Sequence, residues 1–462
     1  MTESTPRTEF DRLRQEIREL KTPNWRKQEF IPFKGLCNAL QNSNLIQVLR
    51  DCRISADKHQ EIKHAVQNGG KRVFAILLEL DRLDKFVNFM GQDHFLHTTL
   101  DSRLPYEEAP LERIIPSDYR DFFDTQWAYS SPLFTPDCQH RIFHKRCVLP
   151  FIEVINIAEG GFGYITKATL PDSHHDFAQE DGQNVTLIRK TLSDYEQKGL
   201  AFRHELDILG LLRCLRHPNI IKLYTAYTIP LVTEDCDRGL ERTLLFEPAD
   251  GDLDQLLSGS MQSVFDRKSI FRALYDLSLA IVQFHNFSLE GEDLELIGCH
   301  YDLKPKNILV KGRRFLLSDF GLSRMKTIEK GSDSIHKLGP TRYSAPESMV
   351  WEGEHGSLRT RRPSDIWSLG CVLAEIVTYM EKGANGIREF FESRRINVGY
   401  LRPAYTFHGG SQTPNNGVMT WMANLGNNLE RNSGTYESSK GLLHLCDEPI
   451  LRLSKYSFIR GS

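Results

Sequence analysis

The chain has 462 residues, too many for one typical domain and enough for two or three. Hydrophobic residues make up 40% and charged residues 26%, which excludes a disordered chain and predicts packed cores. The net charge of −3 excludes a dominant attraction to nucleic acid or an anionic membrane, and nine scattered cysteines with no CxxC pair exclude a disulfide framework or zinc site and read as the reduced thiols of an intracellular protein.

Met1 to Leu20 alternates acidic and basic residues and lacks the apolar core of a signal peptide. Phe10, Leu13, Ile17 and Leu20 fall at three- and four-residue spacing and predict an amphipathic helix. A second stripe through Val73, Ile76, Leu77, Leu80, Leu83, Val87 and Met90 predicts a longer helix between Gly70 and Gly91. Asp81 and Lys85 would form an i,i+4 pair on its surface. Residues 1–145 read as a helical accessory domain with connector, and nothing in it has metal-ligand or nucleophile spacing. From Tyr106 to Pro150, repeated Pro, Asp and Ser predict that connector to be irregular and packed through aromatics such as Trp127 and Phe134.

Beyond Val148 the apolar runs become short, β-branched and separated by glycine, the pattern of strands and tight turns. Strands over about 148–247 followed by helices over about 262–380 predict two lobes with a cleft between them. Leu369 to Met380 is apolar but too short to span a bilayer and contains Glu375, so a buried helix is expected there. Residues 395–440, rich in Gly, Asn and Ser, are expected to be loops.

Two short segments carry the chemistry. In His300-Tyr301-Asp302-Leu303-Lys304-Pro305-Lys306-Asn307, a carboxylate is followed five residues later by an amide, and Asp319-Phe320-Gly321 brings a second carboxylate twelve residues beyond that. The first carboxylate suits accepting a proton from an attacking hydroxyl. The amide and the second carboxylate are hard oxygen ligands of the kind magnesium prefers. Upstream, Ala158-Glu159-Gly160-Gly161-Phe162-Gly163-Tyr164-Ile165 could let backbone amides approach phosphate oxygens, although a glycine cluster by itself is usually a turn. Side-chain alternation along Val185–Leu192 lets either Arg189 or Lys190, not both, face a bound phosphate.

This ordered series resembles the eukaryotic protein kinases of serine/threonine type. Seven of the eight residues from His300 to Asn307 match the HRDLKPxN pattern, counting its free position. The order continues through Gly339-Pro340-Thr341-Arg342-Tyr343-Ser344-Ala345-Pro346-Glu347 and Ser364–Gly370. Gln126-Trp127, Pro132-Leu133-Phe134 and Leu149-Pro150-Phe151 further resemble kinase-domain proteins of filamentous fungi. The resemblance implies an α+β, bilobal protein-kinase fold, with a small antiparallel β-sheet lobe bearing a C-helix and a larger helical lobe, preceded by the mostly helical N-terminal domain. The kinase domain would occupy 146–462, its N-lobe about 148–247 and its C-lobe about 251–462, with the loop-rich stretch inside the latter.

The same resemblance implies transfer of the γ-phosphoryl of ATP to a protein serine or threonine hydroxyl with Mg2+. Asp302 would be the base, Lys304 would neutralise charge, and Asn307 and Asp319 would hold magnesium. Gly160, Gly161, Gly163 and Ile165 would cover the nucleotide. Lys190, favoured over Arg189 by the family register, would bind the phosphates, and Glu205 rather than Asp207 would hold Lys190. Glu247 and Ala249 would bracket the adenine, with Leu309 beneath it and Leu245 or Phe246 behind. Asp365 would cap the backbone of the catalytic loop. Tyr301 replaces the arginine that in the family pairs with an activation-loop phosphate, and Pro340 stands where a threonine is usual. Glu347 has no clear arginine partner, Arg452 being a guess. These departures leave a pseudokinase, a nucleotide-binding scaffold or adaptor, as the alternative function. Localisation is expected to be cytoplasmic with nuclear access left open, and the N-terminal domain leaves room for a regulatory partner.

Overall fold

Helix Glu9–Glu19 begins where Thr8 Oγ1 accepts a hydrogen bond from Asp11 N at 3.1 Å, and it buries Leu13 and Ile17 as the spacing requires. The computed structural model describes residues 8–91, 99–137, 139–160, 163–177, 182–192, 196–233, 236–289, 294–327, 342–346, 362–397, 403–409 and 414–431. The chain divides into two compact units, Met1–Lys198 with Tyr224–Glu247, and Gly199–Leu223 with Pro248–Ser462.

The first unit holds two apolar cores. One belongs to the helical segment and runs from Leu13 to Val148, centred on Val73, Phe74, Ile76 and Leu77 with Phe86 and Phe122. The long helix expected between Gly70 and Gly91 is two helices, Lys71–Glu79 and Phe86–Met90, interrupted at Asp81, whose φ is +59°. Aspartate tolerates that left-handed conformation better than most residues. The turn Leu83–Lys85 keeps Leu83 buried across the break, so the apolar stripe continues although the helix does not. Lys85 pairs with Asp84 at 2.9 Å, not with Asp81. The stretch from Tyr106 to Pro150 is also more regular than expected, with helices Glu108–Ile114 and Tyr119–Tyr129. Pro110 is tolerated in the first turn of one helix, and Asp118 stands at the N-cap position of the other with its carboxylate on Arg82.

The other core belongs to a six-stranded sheet: β1 His140–Ile142, β2 Glu153–Gly160, β3 Gly163–Leu170, β4 Val185–Leu192, β5 Leu223–Thr233 and β6 Cys236–Phe246. The spatial order is β1-β5-β6-β4-β3-β2. The ladders β2–β3, β3–β4 and β4–β6 are antiparallel, whereas β1 lies parallel to β5 in the register His140↔Ala226. β4 alternates buried and half-buried residues, so Val185, Leu187 and Arg189 share one face and Thr186, Ile188 and Lys190 the other. Across β4–β6, Lys190 pairs with Leu244 and Ile188 with Phe246, which puts Phe246 on the Lys190 face and Leu245 in the core behind.

In the second unit, helix Arg267–His285 starts at a capping box formed by Asp266 and Ser269. A hairpin of β7 Ile308–Lys311 and β8 Arg314–Leu317 turns at Gly312, where φ is +57°. Helix Arg362–Ser393, kinked at Gly383, buries most of Leu369 to Met380 as expected, including Glu375, which bonds Arg394 at 3.0 Å. The stretch expected as loops over 395–440 contains helix Asn416–Arg431, with Val418, Met422 and Leu425 buried. Its Asn and Gly residues mask three apolar positions at helical spacing. Among the described residues, no helix is long and apolar enough to cross a membrane, and the described cysteines Cys37, Cys52, Cys147, Cys214, Cys299 and Cys371 are free thiols.

Candidate active site

The segment His300–Asn307 enters β7 through one tight turn, Pro305–Asn307. Proline fixes its own φ at the start of that turn, and Asn307 N closes it on Lys304 O at 2.9 Å. The backbone ahead of it is held from outside. Asp365, 1% exposed, accepts His300 N at 2.7 Å through Oδ2 and Tyr301 N at 2.8 Å through Oδ1. His285 Nε2 lies 2.8 Å from the same carboxylate. This grip fixes Tyr301 at a φ of +65°, where a bulky residue is uncommon. The His300 ring reaches Ser318 O at 2.9 Å, and Ser318 N donates to Asn307 O at 3.0 Å, so the two motif segments are bonded together.

Asp302 sits at the centre, 8% exposed. Lys304 Nζ donates to Asp302 Oδ2 at 2.6 Å, and Asn307 Nδ2 donates to the same oxygen at 2.9 Å and to Asp302 O at 2.8 Å. Both side-chain bonds converge on Oδ2, which leaves Oδ1 as an acceptor for a further donor such as a hydroxyl. Asn307 uses its nitrogen in these bonds, so its carbonyl oxygen is the atom able to meet a cation.

Asp319 follows Ser318 directly and has a φ of +61°. Phe320 is fully buried against Phe284 and His300, with ring centroids 5.5 and 5.2 Å away. Both carboxylates lie beside Gly321: a Cβ there would stand at ordinary contact distance, 3.5 Å from Asp319 Oδ1 and 3.6 Å from Glu205 Oε2. Glu205, on helix Glu196–Leu215, is 3% exposed, while Asp207 on that helix is exposed. The same helix is tied to the segment after Gly321, for His204 Nε2 lies 2.6 Å from Ser323 O and 2.7 Å from Arg324 Nη1. Leu309 pairs with Asp252 in the ladder beside β7.

In the first unit, β2 and β3 close through Gly160↔Gly163. Gly163 has a φ of +143°, and a Cβ on it would stand 2.0 Å from Thr191 O, so only glycine fits. Ile165, 36% exposed, pairs with Lys190 across β3–β4. Arg189 turns the other way. It is 2% exposed and donates through Nη2 to Glu241 Oε1 and to Tyr227 OH, both at 2.9 Å. Burial works against its charge, but Tyr227 and Glu241 outweigh that and hold its pKa above the ordinary value. Burial pushes the Tyr227 phenol up to about 12. With Arg189 committed there, Lys190 is the cation of this pair on the glycine-turn face.

Glu247 ends the first unit, and Ala249 lies just inside the second. Gly161, Pro340, Thr341, Glu347 and Arg452 lie outside the described residues. Sequence reasoning singled out Asp365 but missed His285, His204 and the Arg189–Glu241 pair. No local pattern marks these residues, since each acts on a partner far along the chain.

Residues 154–396, just over half of the chain, match the family model of the protein kinase domain. The chain is 28% identical over 238 residues to the serine/threonine-protein kinase mph1 of Schizosaccharomyces pombe, covering 50% of this chain and 31% of that protein. It is 35% identical over 178 residues to the serine/threonine-protein kinase RUNKEL of Arabidopsis thaliana, covering 37% and 11%. Over 181 residues it is 30% identical to the serine/threonine-protein kinase Nek2 of Homo sapiens, covering 37% and 36%. These matches span at most 36% of the relatives' own length. Given this match and the ordered motif segments, the chain belongs to the protein kinase domain family.

Proposed function

We propose that this chain is an active serine/threonine protein kinase that transfers the γ-phosphoryl of ATP to a protein hydroxyl. The observation that carries the reading is the Asp302 carboxylate, with Oδ2 bound by Lys304 and Asn307 and Oδ1 left to accept a proton. Lys304 stands where it can neutralise charge on the transferred group. Asn307 and Asp319 supply an amide oxygen and a carboxylate, donors that suit magnesium, whose part when bound is to neutralise the phosphate oxygens. Lys190 would bind the phosphates, with Glu205 as its counter-charge, beneath the glycine turn of Gly160, Gly161 and Gly163 and beside Ile165. Glu247, Ala249 and Leu309 would frame the adenine. The kinship with filamentous-fungal kinase-domain proteins, a cytoplasmic location and a regulatory partner for the helical segment belong to the same proposal. The test is incorporation of radiolabelled phosphate from ATP by the wild-type chain beside Asp302→Asn. Incorporation lost in the variant supports the reading, and equal incorporation in both overturns it.

A specific observation favours the alternative, a pseudokinase acting through association. Tyr301 occupies the strained position before Asp302 and cannot pair with a phosphate as an arginine would. If the wild-type chain binds a nucleotide analogue but incorporates no phosphate, this second reading holds. Activity of the first kind is expected without activation-loop phosphorylation read through position 301. The test is a variant with Ser323, Thr327, Ser332, Ser334 and Thr341 all changed to Ala: a large loss of activity in it would contradict the expectation.

A further inference from the structure

The helical segment meets the sheet at a corner made of three consecutive residues. Asn24 Nδ2 donates to Leu149 O at 3.0 Å, and Trp25 N donates to Phe151 O at 3.0 Å. Asn24 Oδ1 accepts Arg26 N and Gln28 N, both at 2.9 Å, so the corner is braced internally. The Trp25 ring lies edge-on to Phe151, and the Arg189 guanidinium sits 5.3 Å from the first ring and 4.9 Å from the second. Arg26 then completes the cluster. Its Nη2 bonds Glu241 Oε2 at 2.8 Å, while Arg189 holds Oε1 of the same carboxylate at 2.9 Å. One buried glutamate therefore receives a guanidinium from the sheet and another from the helical segment.

Arg189 and Lys190 share a peptide plane and point to opposite faces of β4. Whatever pins Arg189 limits the roll of that strand about its own axis, and that roll is the motion that would swing Lys190. Thr191 and Thr243, bonded at 3.0 Å, extend the same buried row. Arg26 differs from its partners in one respect: its side chain is 40% exposed, against 2% for Arg189 and 1% for Glu241. It is the member of the cluster that can be altered without opening the core.

We propose that the Asn24–Arg26 corner is a positioning device for Lys190, acting from behind β4 through Glu241 and Arg189. The helical segment is thereby a working part of nucleotide handling. The role of Lys190 rests on the kinase reading, whereas the hold on β4 stands independently of it, and the test separates the two. Arg26→Ala, Arg26→Lys and Trp25→Phe are compared with Lys34→Ala, which removes an exposed ion pair to Asp172 between the same two regions. Two quantities are measured on the full chain: hydrogen exchange of the amides of residues 185–192, and binding of the magnesium complex of AMP-PNP by calorimetry.

Arg26→Ala is expected to speed exchange over 185–192 by about tenfold and weaken AMP-PNP binding by about as much, the scale of one charged hydrogen bond. Arg26→Lys should recover part of both, and Trp25→Phe, the mildest change, should move both in the same direction. Lys34→Ala should move neither. Exchange and affinity in Arg26→Ala equal to those in Lys34→Ala would overturn the proposal, as would faster exchange with unchanged affinity. If the wild-type chain does not bind AMP-PNP, the kinase reading fails. Exchange then still decides the corner's hold on β4, with faster exchange supporting it and unchanged exchange removing it.

Discussion

Asp302 and Glu241 each hold a cationic side chain, Lys304 at 2.6 Å and Arg189 at 2.9 Å. Their surroundings differ. The Lys304 side chain is 28% exposed, and one oxygen of Asp302 takes both side-chain bonds while the other is left to accept. Glu241 is sealed, with both oxygens occupied by guanidiniums and its first partner, Arg189, lying against both Trp25 and Phe151. The residue types follow the same division. Lysine is a mobile point charge that can follow a moving phosphoryl group, whereas arginine presents a rigid fork that fixes a geometry. On the proposed reading, the carboxylate that would accept a proton keeps an acceptor site in reserve, and the one that would lock a strand keeps none.

The largest effect should fall on Asp302. Replacing it with Asn keeps the shape and the bond to Lys304 but removes the basic oxygen. Phosphate incorporation is expected to fall by about a thousandfold, within the range of general-base contributions. Radiolabel transfer from ATP measures it. A loss of less than tenfold would mean that the acceptor held in reserve is not the base, and the contrast with Glu241 would lose its chemical meaning.

Glu241→Ala should instead strike stability, since it leaves Arg189 buried without a counter-charge. The expected cost is about 3–5 kcal/mol in urea unfolding. The double change Arg189→Met with Glu241→Leu should recover most of it, because apolar groups of similar volume often replace a sealed ion pair at no loss. The same double variant sharpens the comparison if it stays folded while binding AMP-PNP less tightly. The ion pair would then supply Lys190 with a positioning that apolar packing of similar volume does not.

His174 tests burial without a compensating charge. It lies 1% exposed on the sheet side, its ring edge-on to Phe30 of the helical segment at 5.1 Å. Nδ1 is 3.1 Å from Pro132 O, and Nε2 has no hydrogen-bond partner. Burial lowers its pKa from 6.5 to about 4. The unfolded chain therefore binds the proton first as pH falls. The stability that neutral His174 contributes is complete above pH 6.5 and is lost as pH drops through about 4. The loss should approach about 3 kcal/mol at the acid end of that window. His174→Phe should flatten the slope of unfolding free energy against pH between those limits. An unchanged slope would show that the proton is taken up elsewhere.

How much of this was legible in the sequence depends on how far apart the partners lie. Asp302, Lys304 and Asn307 occupy six consecutive positions, so a local pattern carried nearly the whole cluster, and the Asp-Phe-Gly segment was readable because it follows one hairpin later. The sheet was legible from short β-branched runs between glycines, and the helix at Leu369–Met380 from an apolar stretch too short to span a bilayer. Arg26, Arg189 and Glu241 are drawn from three distant segments, and each alone looks like a solvated surface charge. Periodicity also hid the break at Asp81, because the stripe records which residues are buried and not whether the backbone between them stays helical. The helix Asn416–Arg431 is hidden because its Asn and Gly residues suggest loops, while Val418, Met422 and Leu425 alone carry the helical spacing.

The smallest expected effect is the most searching for the corner. Lys34 and Asp172 form a second ion pair between the helical segment and the sheet region, with Nζ to Oδ2 at 3.0 Å. In distance it nearly equals the 2.8 Å bond of Arg26 to Glu241. The side chains of Lys34 and Asp172 are 57% and 30% exposed, however, and water and salt screen most of their attraction. Lys34→Ala should change the unfolding free energy by only about 0.5 kcal/mol or less, and that small change should vanish at high salt. Arg26 shares its exposed position but bonds a carboxylate that is 1% exposed, so its contribution should survive the same salt. If the two variants respond alike to salt, burial of the acceptor does not distinguish them, and the corner would be a surface contact rather than a lock on β4.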